Sequence, residues 1–182
     1  MATRTKQQTE LQFNSPSRGR VDFTNVIYDL VNFMEEDIRK QYCLIIGTDS
    51  RANHLIEGGA KDVEFVTAII IHRLGKGGRY FWHKETRGKI HTLRQKIYEE
   101  TGLSLAIAQK LIGELNKYLS NTTGDPALKP LKYELEIHVD IGERGPTREI
   151  IKEIVGMVQG SGFSAKTKPC SYGASTVADR HT

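Results

Sequence analysis

Two aspartates close apolar stretches that have the character of strands. Asp49 ends the stretch Tyr42–Asp49, which is apolar on both alternating faces, and Asp140 lies near the end of the alternating stretch Tyr133–Ile141. α/β proteins place chemistry at the ends of such strands. If the two strands pair in parallel, both carboxylates lie at the same edge of the sheet, and their mutual repulsion then indicates a metal ion or a shared proton. The structural alternatives are an Asx turn after the first strand and a cap of the turn at Gly142.

A third acid is predicted to face the protein interior from a helix. Ile90, Leu93 and Ile97 form an apolar stripe, and Glu100 continues it by three residues, whereas Glu99 falls outside it. Acids are rarely buried without a partner, so an inward position indicates a function. The alternative is that the helix ends just beyond this point and Glu100 turns into solvent.

The last residues of the chain contain Asp179 and His181 among small and polar side chains. Spacing alone predicts a fraying terminus for such a segment. A helix would place the two residues on different sides, so we expect His181 to be solvated rather than catalytic.

Residues 72–96 carry an excess of positive charge, with eight Lys and Arg against the single acid Glu85. Tyr80, Phe81 and Trp82 interrupt this run. Cations beside aromatic rings suit a phosphate backbone and stacked bases, and the alternative is a solvated hairpin whose aromatics face the core. The candidate nucleic-acid-binding residues are Arg73, Lys76, Arg79, Lys84, Arg87, Lys89 and Arg94.

No other kind of site has a supporting pattern in the sequence. The histidines lack the H-x-x-x-H and H-E-x-x-H spacings of zinc sites, and no G-x-S-x-G is present. Gly75–Gly78 lacks the rest of a P-loop and is predicted to be a hairpin turn. The two cysteines, Cys43 and Cys170, are expected to be free thiols.

The elements that must position these residues follow from periodicity and turn residues. Asp22 or Thr24 is expected to cap the first helix. Three strands with short connections predict an antiparallel meander, and the long helix after them is expected to bend or be interrupted at Thr101-Gly102, where Ser104 would cap a second segment. The predicted elements are helix 22–39, strands 42–49, 64–73 and 79–86, helix 90–119, strand 133–141, helix 147–159, strand 163–169 and helix 174–181.

Composition indicates an ordinary globular chain of 182 residues, with 38% hydrophobic residues, 26% charged residues and a formal net charge of +4. We expect a polar arm over residues 1–21 and a single domain over residues 22–182. No apolar run reaches the roughly 18 residues that a membrane helix needs, and the N-terminus lacks the apolar segment of a signal peptide. A cytoplasmic protein without a membrane partner is therefore expected. The order of elements predicts a mixed α/β sheet with helices across its faces.

Three motifs together resemble a known family. Leu44–Ser50 (LIIGTDS), Ile137–Gly142 (IHVDIG) and Ala174–Arg180 (ASTVADR) are similar to the YkuK-like family of uncharacterised ribonuclease H-like proteins, and the resemblance runs from about Gln12 to the C-terminus. It implies a ribonuclease H-like α/β fold with a mixed five-stranded sheet in the order 3-2-1-4-5 and helices on both faces. By motif match it also implies a catalytic and metal-binding set of Asp49, Glu100, Asp140 and Asp179, with Glu99 competing for the helix position.

The carboxylate cluster, together with the implied fold, predicts a divalent-metal-dependent nuclease. Asp49 would bridge two Mg²⁺ or Mn²⁺ ions, the other three acids would complete the oxygen ligands, and the basic residues would hold RNA or an RNA–DNA hybrid. The alternative is a module that retains the fold without catalysis and binds nucleic acid or a protein. An ATP-binding fold of the actin and sugar-kinase type fits Gly47–Asp49 loosely, but a chain of this length leaves no room for its second lobe.

Overall fold

The computed structural model describes residues 11–55, 61–122, 131–142 and 148–182. A seven-stranded sheet in the order β2-β1-β5-β4-β3-β6-β7 forms its centre. In chain order the elements are β1 (Gln12–Ser15), β2 (Gly19–Asp22), α1 (Phe23–Glu35), β3 (Tyr42–Leu55), β4 (Lys61–Arg73), β5 (Gly78–Ile90), α2 (Leu93–Thr122), β6 (Tyr133–His138), a 3₁₀ turn (Arg148–Ile150), α3 (Ile151–Gly160), β7 (Ser164–Lys166), a π turn (Gly173–Ala178) and a 3₁₀ turn (Asp179–His181).

The five strands predicted from sequence are present and lie in the predicted order. β3, β4 and β5 form the antiparallel meander, and β6 and β7 pair in parallel on the other side of β3. The meander follows from short turns, and the parallel pairs follow from the long connections through α2 and α3. The predicted mixed α/β sheet and its strand order are therefore confirmed, with seven strands in the sheet rather than five.

The two additional strands come from the segment that sequence reading takes as a polar arm. β1 and β2 form an antiparallel hairpin, and β1 extends the sheet beside β5 by pairing Asn14 with Trp82. Phe13 is completely buried in this hairpin. Four-residue strands hold too few alternating residues for a periodic signal, which is why the sequence does not reveal them.

The central strands are longer than predicted, which changes the setting of the first acid. β3 continues through Leu55, so Asp49 lies inside a strand rather than at its end. Polar residues beyond Asp49 pair with β4 as far as Leu55 opposite Lys61, in the stretch between the two predicted strands. β6 instead stops early, at His138 rather than Ile141.

α2 is one continuous helix of 30 residues, and the predicted interruption at Thr101-Gly102 is wrong. Thr101 is buried and its hydroxyl donates to the Ile97 carbonyl at 2.8 Å, within the helix. Ser104 does not cap a second segment, because its hydroxyl shares a hydrogen bond of 2.8 Å with Thr48 on β3. Packing against the sheet on both sides of Gly102 outweighs the roughly 1 kcal/mol that a glycine costs inside a helix.

The first helix begins as predicted and ends early. The Asp22 carboxylate caps α1 by accepting from the Asn25 backbone N–H at 2.7 Å. The helix ends at Glu35, four residues before the predicted Arg39. Its buried residues recur with helical spacing and pack on the sheet.

The two faces of the sheet carry different layers. The helix face is covered by α1, α2 and α3, and the main core lies there. The opposite face is covered by residues Ser171–Thr182, which we call the C-terminal strap, and Ala178 of the strap packs in a small cluster with Ile45 and Val66. The strap is a π turn followed by a 3₁₀ turn, where a terminal helix was predicted.

Two further observations concern the whole described chain. Cys43 and Cys170 are free cysteines, as expected. Within the described residues, every helix is too short or too polar to cross a membrane.

Candidate carboxylate site

The parallel pairing of β3 with β6 aligns Asp49 and Asp140. Gly47 lies opposite His138 at the last paired position, and each aspartate follows two residues further along its own segment. Because side chains alternate between the faces of a strand, Asp49 lies on the same face as Ile45, which is the strap face. β6 ends here while β3 continues, so among the described residues the sheet has an open edge beside Asp49.

The pKa of Asp49 is shifted by burial and by the charged groups around it. Burial raises the pKa of this carboxyl group, and the negative charges of Asp179 and Asp140 raise it further. The Ser50 backbone N–H and the Lys96 ammonium lower it in opposition. Asp49 therefore lies within electrostatic reach of acids from the segment after β6 and from the strap.

Glu100 reaches the same edge from the helix face. It is buried, and its Oε1 accepts a hydrogen bond of 2.6 Å from the Ser50 hydroxyl. Burial raises the pKa of Glu100 to about 7, and the charge of Asp49 adds to this, while Lys96 and Ser50 lower it. Glu99 points elsewhere and forms an ion pair with Arg87. Glu100, and not Glu99, is thus the helix acid that faces the sheet.

Asp179 enters from the strap. It is exposed and begins the 3₁₀ turn that ends the chain. The other three predicted acids therefore approach Asp49 from three different segments, two of which lie on opposite faces of the sheet.

Two lysines that sequence reading did not single out counterbalance these acids. Lys168 Nζ lies 3.1 Å from Asp140 Oδ1, and Lys96 Nζ lies 3.4 Å from Glu100 Oε1. Lys96 precedes Glu100 by four residues on α2, so its helical spacing was a usable signal. Lys168 lies after β7, and only the tertiary fold brings it to Asp140.

The acids fit a hard cation by their chemistry more than by their present placement. In the described parts of the chain, no group of three or more His, Cys, Asp or Glu side chains is arranged to hold a metal ion. Asp140 Oδ1 is nevertheless buried and accepts no hydrogen bond from the described residues, because Lys168 approaches it without hydrogen-bond geometry. A buried carboxylate oxygen with a free lone pair is a suitable ligand for Mg²⁺ or Mn²⁺.

His138 is a structural neighbour of this site. It is buried, and its Nδ1 accepts a hydrogen bond of 3.0 Å from the Gly173 backbone N–H. Its Nε2 then carries the proton and donates to Glu136 at 3.1 Å. Burial lowers the pKa of His138 and favours this neutral form. The imidazole therefore connects β6 to the strap.

Several of the candidate nucleic-acid-binding residues lie away from the carboxylates. Arg73 and Arg79 both pair with Glu36, and their guanidinium groups lie over the Phe33 ring. Arg73 pairs in register with Tyr42, seven residues before Asp49, which is roughly 20 Å along the strand. These two arginines attach α1 to the far end of the sheet.

The other members of the basic run occupy several locations. Lys84 lies opposite Val66, which lies opposite Asp49, so one cation of the run shares a row with the acids. Arg87 pairs with Glu85 and Glu99. Arg94 forms an ion pair with Glu153 of α3, Lys76 is exposed in the turn before β5, and the side chain of Lys89 lies outside the described residues.

The aromatic residues of β5 divide between the two faces. Phe81 is buried in the main core, whereas Tyr80 and Trp82 pack on the strap face. The His181 ring stacks on Trp82 with a centroid distance of 3.8 Å and an interplanar angle of 6°. His181 is thus only partly exposed, and the expectation of a solvated histidine is wrong.

Comparisons with known proteins agree with this architecture. A family model described as ribonuclease H-like matches residues 25–182. The chain is 34% identical over 175 residues to a Bacillus subtilis (strain 168) protein named "Uncharacterized protein YkuK", and the alignment covers 93% of this chain and 96% of that protein. Among solved structures, no significant match was found. With these similarities and the predicted strand order, the chain belongs to the ribonuclease H-like family and is a YkuK-like member of it.

Proposed function

We propose that the protein is a divalent-metal-dependent nuclease that hydrolyses phosphodiester bonds in RNA or an RNA–DNA hybrid. Membership of the ribonuclease H-like family indicates a function related to nucleic acid. The observation that carries the nuclease proposal is the setting of Asp49, whose pKa is raised by burial and then by two further aspartates. Such a concentration of negative charge is unfavourable unless a cation neutralises it.

Each of the four acids would supply oxygen ligands to the cation from a different segment. Asp49 and Asp140 present oxygens at the open edge of the sheet, and Asp140 Oδ1 has no hydrogen bond to lose among the described residues. Asp179 and Glu100 approach from the two faces and would complete an all-oxygen set, which Mg²⁺ and Mn²⁺ favour. Bound there, the metal supplies electrostatic stabilisation of the phosphoryl oxygens.

The neighbouring residues orient and charge these acids. The Ser50 hydroxyl fixes Glu100, and Lys96 lowers the pKa of both Glu100 and Asp49, which favours the ionised carboxylates that a metal requires. The Lys168 side chain is 52% exposed, so it could turn into solvent and leave Asp140 to a metal ion. Lys84, in the row of Asp49, pairs with Glu64 at 3.2 Å and would exchange this partner for a phosphate of the bound strand.

The decisive experiment compares cleavage by the wild type and Asp49→Asn. Labelled RNA, RNA–DNA hybrid and DNA are incubated with Mn²⁺ or Mg²⁺, and products are resolved by length. We expect the wild type to cleave RNA or the hybrid, and the variant to lose about a hundredfold or more of that activity. Asp37→Asn is the matched control, because Asp37 pairs with Arg39 just before β3, at the end of the sheet remote from Asp49. Equal cleavage by wild type and Asp49→Asn would contradict the proposed nuclease site.

A non-catalytic binding module is the second candidate, and the two lysine pairs favour it. Lys168 and Lys96 already neutralise Asp140 and Glu100 in part, so the acids do not strictly require a metal. Calorimetry with Mn²⁺ and Mg²⁺ separates the candidates. Metal binding supports the nuclease, whereas no metal binding together with nucleic-acid binding that weakens steeply with salt supports the module.

A further inference from the structure

The C-terminal strap lies across the sheet face that bears Asp49. Its π turn packs against β3 and β4, and Ala178 is completely buried there. Asp179 follows directly after this buried alanine and is exposed. The position of the Asp179 carboxylate therefore depends on how firmly the strap is held on either side of it.

The first anchor of the strap is Gly173. Its backbone N–H donates to His138 Nδ1 at 3.0 Å. A Cβ atom at this position would lie 2.5 Å from Ile45 Cγ2, so only glycine lets the backbone approach β3 this closely. This anchor lies six residues before Asp179 and fixes the beginning of the π turn.

The second anchor is the His181 ring. It lies parallel to the Trp82 indole at 3.8 Å, with the Tyr80 ring centroid 5.7 Å away. His181 Nε2 is buried and has no hydrogen-bond partner among the described residues. Stacking on β5, rather than a hydrogen bond from this nitrogen, therefore holds the ring.

The last turn connects the second anchor rigidly to Asp179. The Asp179 carbonyl accepts from the Thr182 backbone N–H at 3.2 Å and from the Thr182 hydroxyl at 2.7 Å. The Asp179 carboxylate itself has no hydrogen bond or ion pair with any described residue. Since Asp49 and Asp179 carry like charges, repulsion between them opposes the position that the strap gives Asp179.

We propose that His181 is a positioning residue, which by stacking on Trp82 holds the last turn of the strap so that Asp179 stays beside Asp49. This inference rests on the proposed carboxylate site and assigns a role to a residue outside the four acids. The ring acts through Asp179 and needs no contact with substrate or metal. Its stacking area, and not its nitrogen atoms, is the property that matters.

Trp82 gives a direct readout, because it is the only tryptophan of the chain. The test compares wild type, His181→Ala and His181→Phe, with His91→Ala as the control, since His91 is exposed in the connection just before α2. Tryptophan emission, acrylamide quenching and hydrogen exchange over residues 171–182 are measured on metal-free protein. Mn²⁺ affinity is then measured by calorimetry.

We expect His181→Ala to shift Trp82 emission to the red, increase its quenching, speed exchange in the strap and weaken Mn²⁺ binding about tenfold. His181→Phe restores all four readouts toward wild type, and His91→Ala changes none of them. Wild-type emission and exchange in His181→Ala would overturn the inference, as would a His181→Phe variant as impaired as His181→Ala. If the wild type binds no Mn²⁺, the metal proposal fails, while emission and exchange still decide whether His181 holds the strap.

Discussion

Glu100 is a deeply buried carboxylate, and burial disfavours its ionised form. Its pKa is raised from 4.5 to about 7, first by burial. Between pH 4.5 and about 7, Glu100 of the metal-free folded protein therefore keeps a proton that the unfolded chain has released. Stability consequently falls as pH rises through this window and stays lower above it.

Glu100→Gln removes this penalty and one candidate ligand together. Glutamine keeps an oxygen for the Ser50 hydroxyl but does not ionise, so we expect a gain on the order of 1 to 3 kcal/mol at pH 8 and little gain at pH 4.5. Nuclease activity is expected to fall in the same variant. Urea unfolding in EDTA at both pH values measures the first effect.

Glu99→Gln is the matched control, because Glu99 precedes Glu100 on the same helix, is one-third exposed and pairs with Arg87. We expect its unfolding free energy to follow that of the wild type at both pH values. A Glu100→Gln variant that is destabilised at pH 8 would show that the Lys96 pair outweighs the burial of the carboxylate.

At the scale of residues, helical spacing predicted that Glu100 faces the interior but not which side chains it contacts there. The apolar stripe used for this prediction was only partly correct: Ile97 is buried, but Leu93 is 46% exposed. Lys168 and His181 could not be found this way, because pairs so distant in sequence meet only after the sheet has formed. The catalytic and metal-binding roles of the four acids stay predictions.

At the scale of elements, a glycine inside α2 lowers the stability of the helix. Gly102 is exposed in the middle of the helix, and a Cβ atom there would meet nothing within 4 Å. We expect Gly102→Ala to stabilise the protein by about 0.5 to 1 kcal/mol, since alanine loses less backbone entropy on folding. Chemical denaturation measures the change.

The same substitution at Gly78 provides the opposite result. A Cβ atom at Gly78 would collide with the Ile71 carbonyl oxygen of the neighbouring strand. We expect Gly78→Ala to destabilise the protein. If Gly102→Ala were also destabilising, glycine would have a role in α2 that its open surroundings do not show.

The strands and their bounds were not equally predictable from the sequence. β3 and β4 are apolar over many residues, so they were predicted with their neighbours. The bounds were less accurate, because polar residues such as Arg51 extend a strand when its neighbour supplies the hydrogen bonds. Strand extension is a property of the sheet, and one segment does not encode it alone.

At the scale of the whole molecule, the β1–β2 hairpin bears on where the domain begins. Phe13 is completely buried and its ring lies 5.7 Å from that of Phe23 on α1. Arg18, in the turn of the hairpin, pairs with Asp29 of the same helix at 2.6 Å. We therefore expect residues 11–22 to unfold together with the rest of the sheet, although the sequence predicts a domain that starts at residue 22.

Phe13→Ala tests this expectation. Removing a fully buried phenylalanine is expected to cost about 3 kcal/mol or more and to keep a single unfolding transition. Tyr28→Ala is the control, because Tyr28 on α1 is 51% exposed and its loss should change stability little. A Phe13→Ala variant with wild-type stability, measured by urea unfolding, would show that the hairpin is a separate arm.

The alignment of β3 with β6 carries a consequence for how this protein can vary in length. Successive side chains of a strand alternate between its faces, so inserting or deleting one residue within Tyr133–His138 turns Asp140 away from Asp49 and toward the helix core. A change of two residues preserves the face but shifts the carboxylate by about 7 Å. Natural variation in length is therefore expected in the connections around β6, while the six residues of the strand keep both their number and their parity.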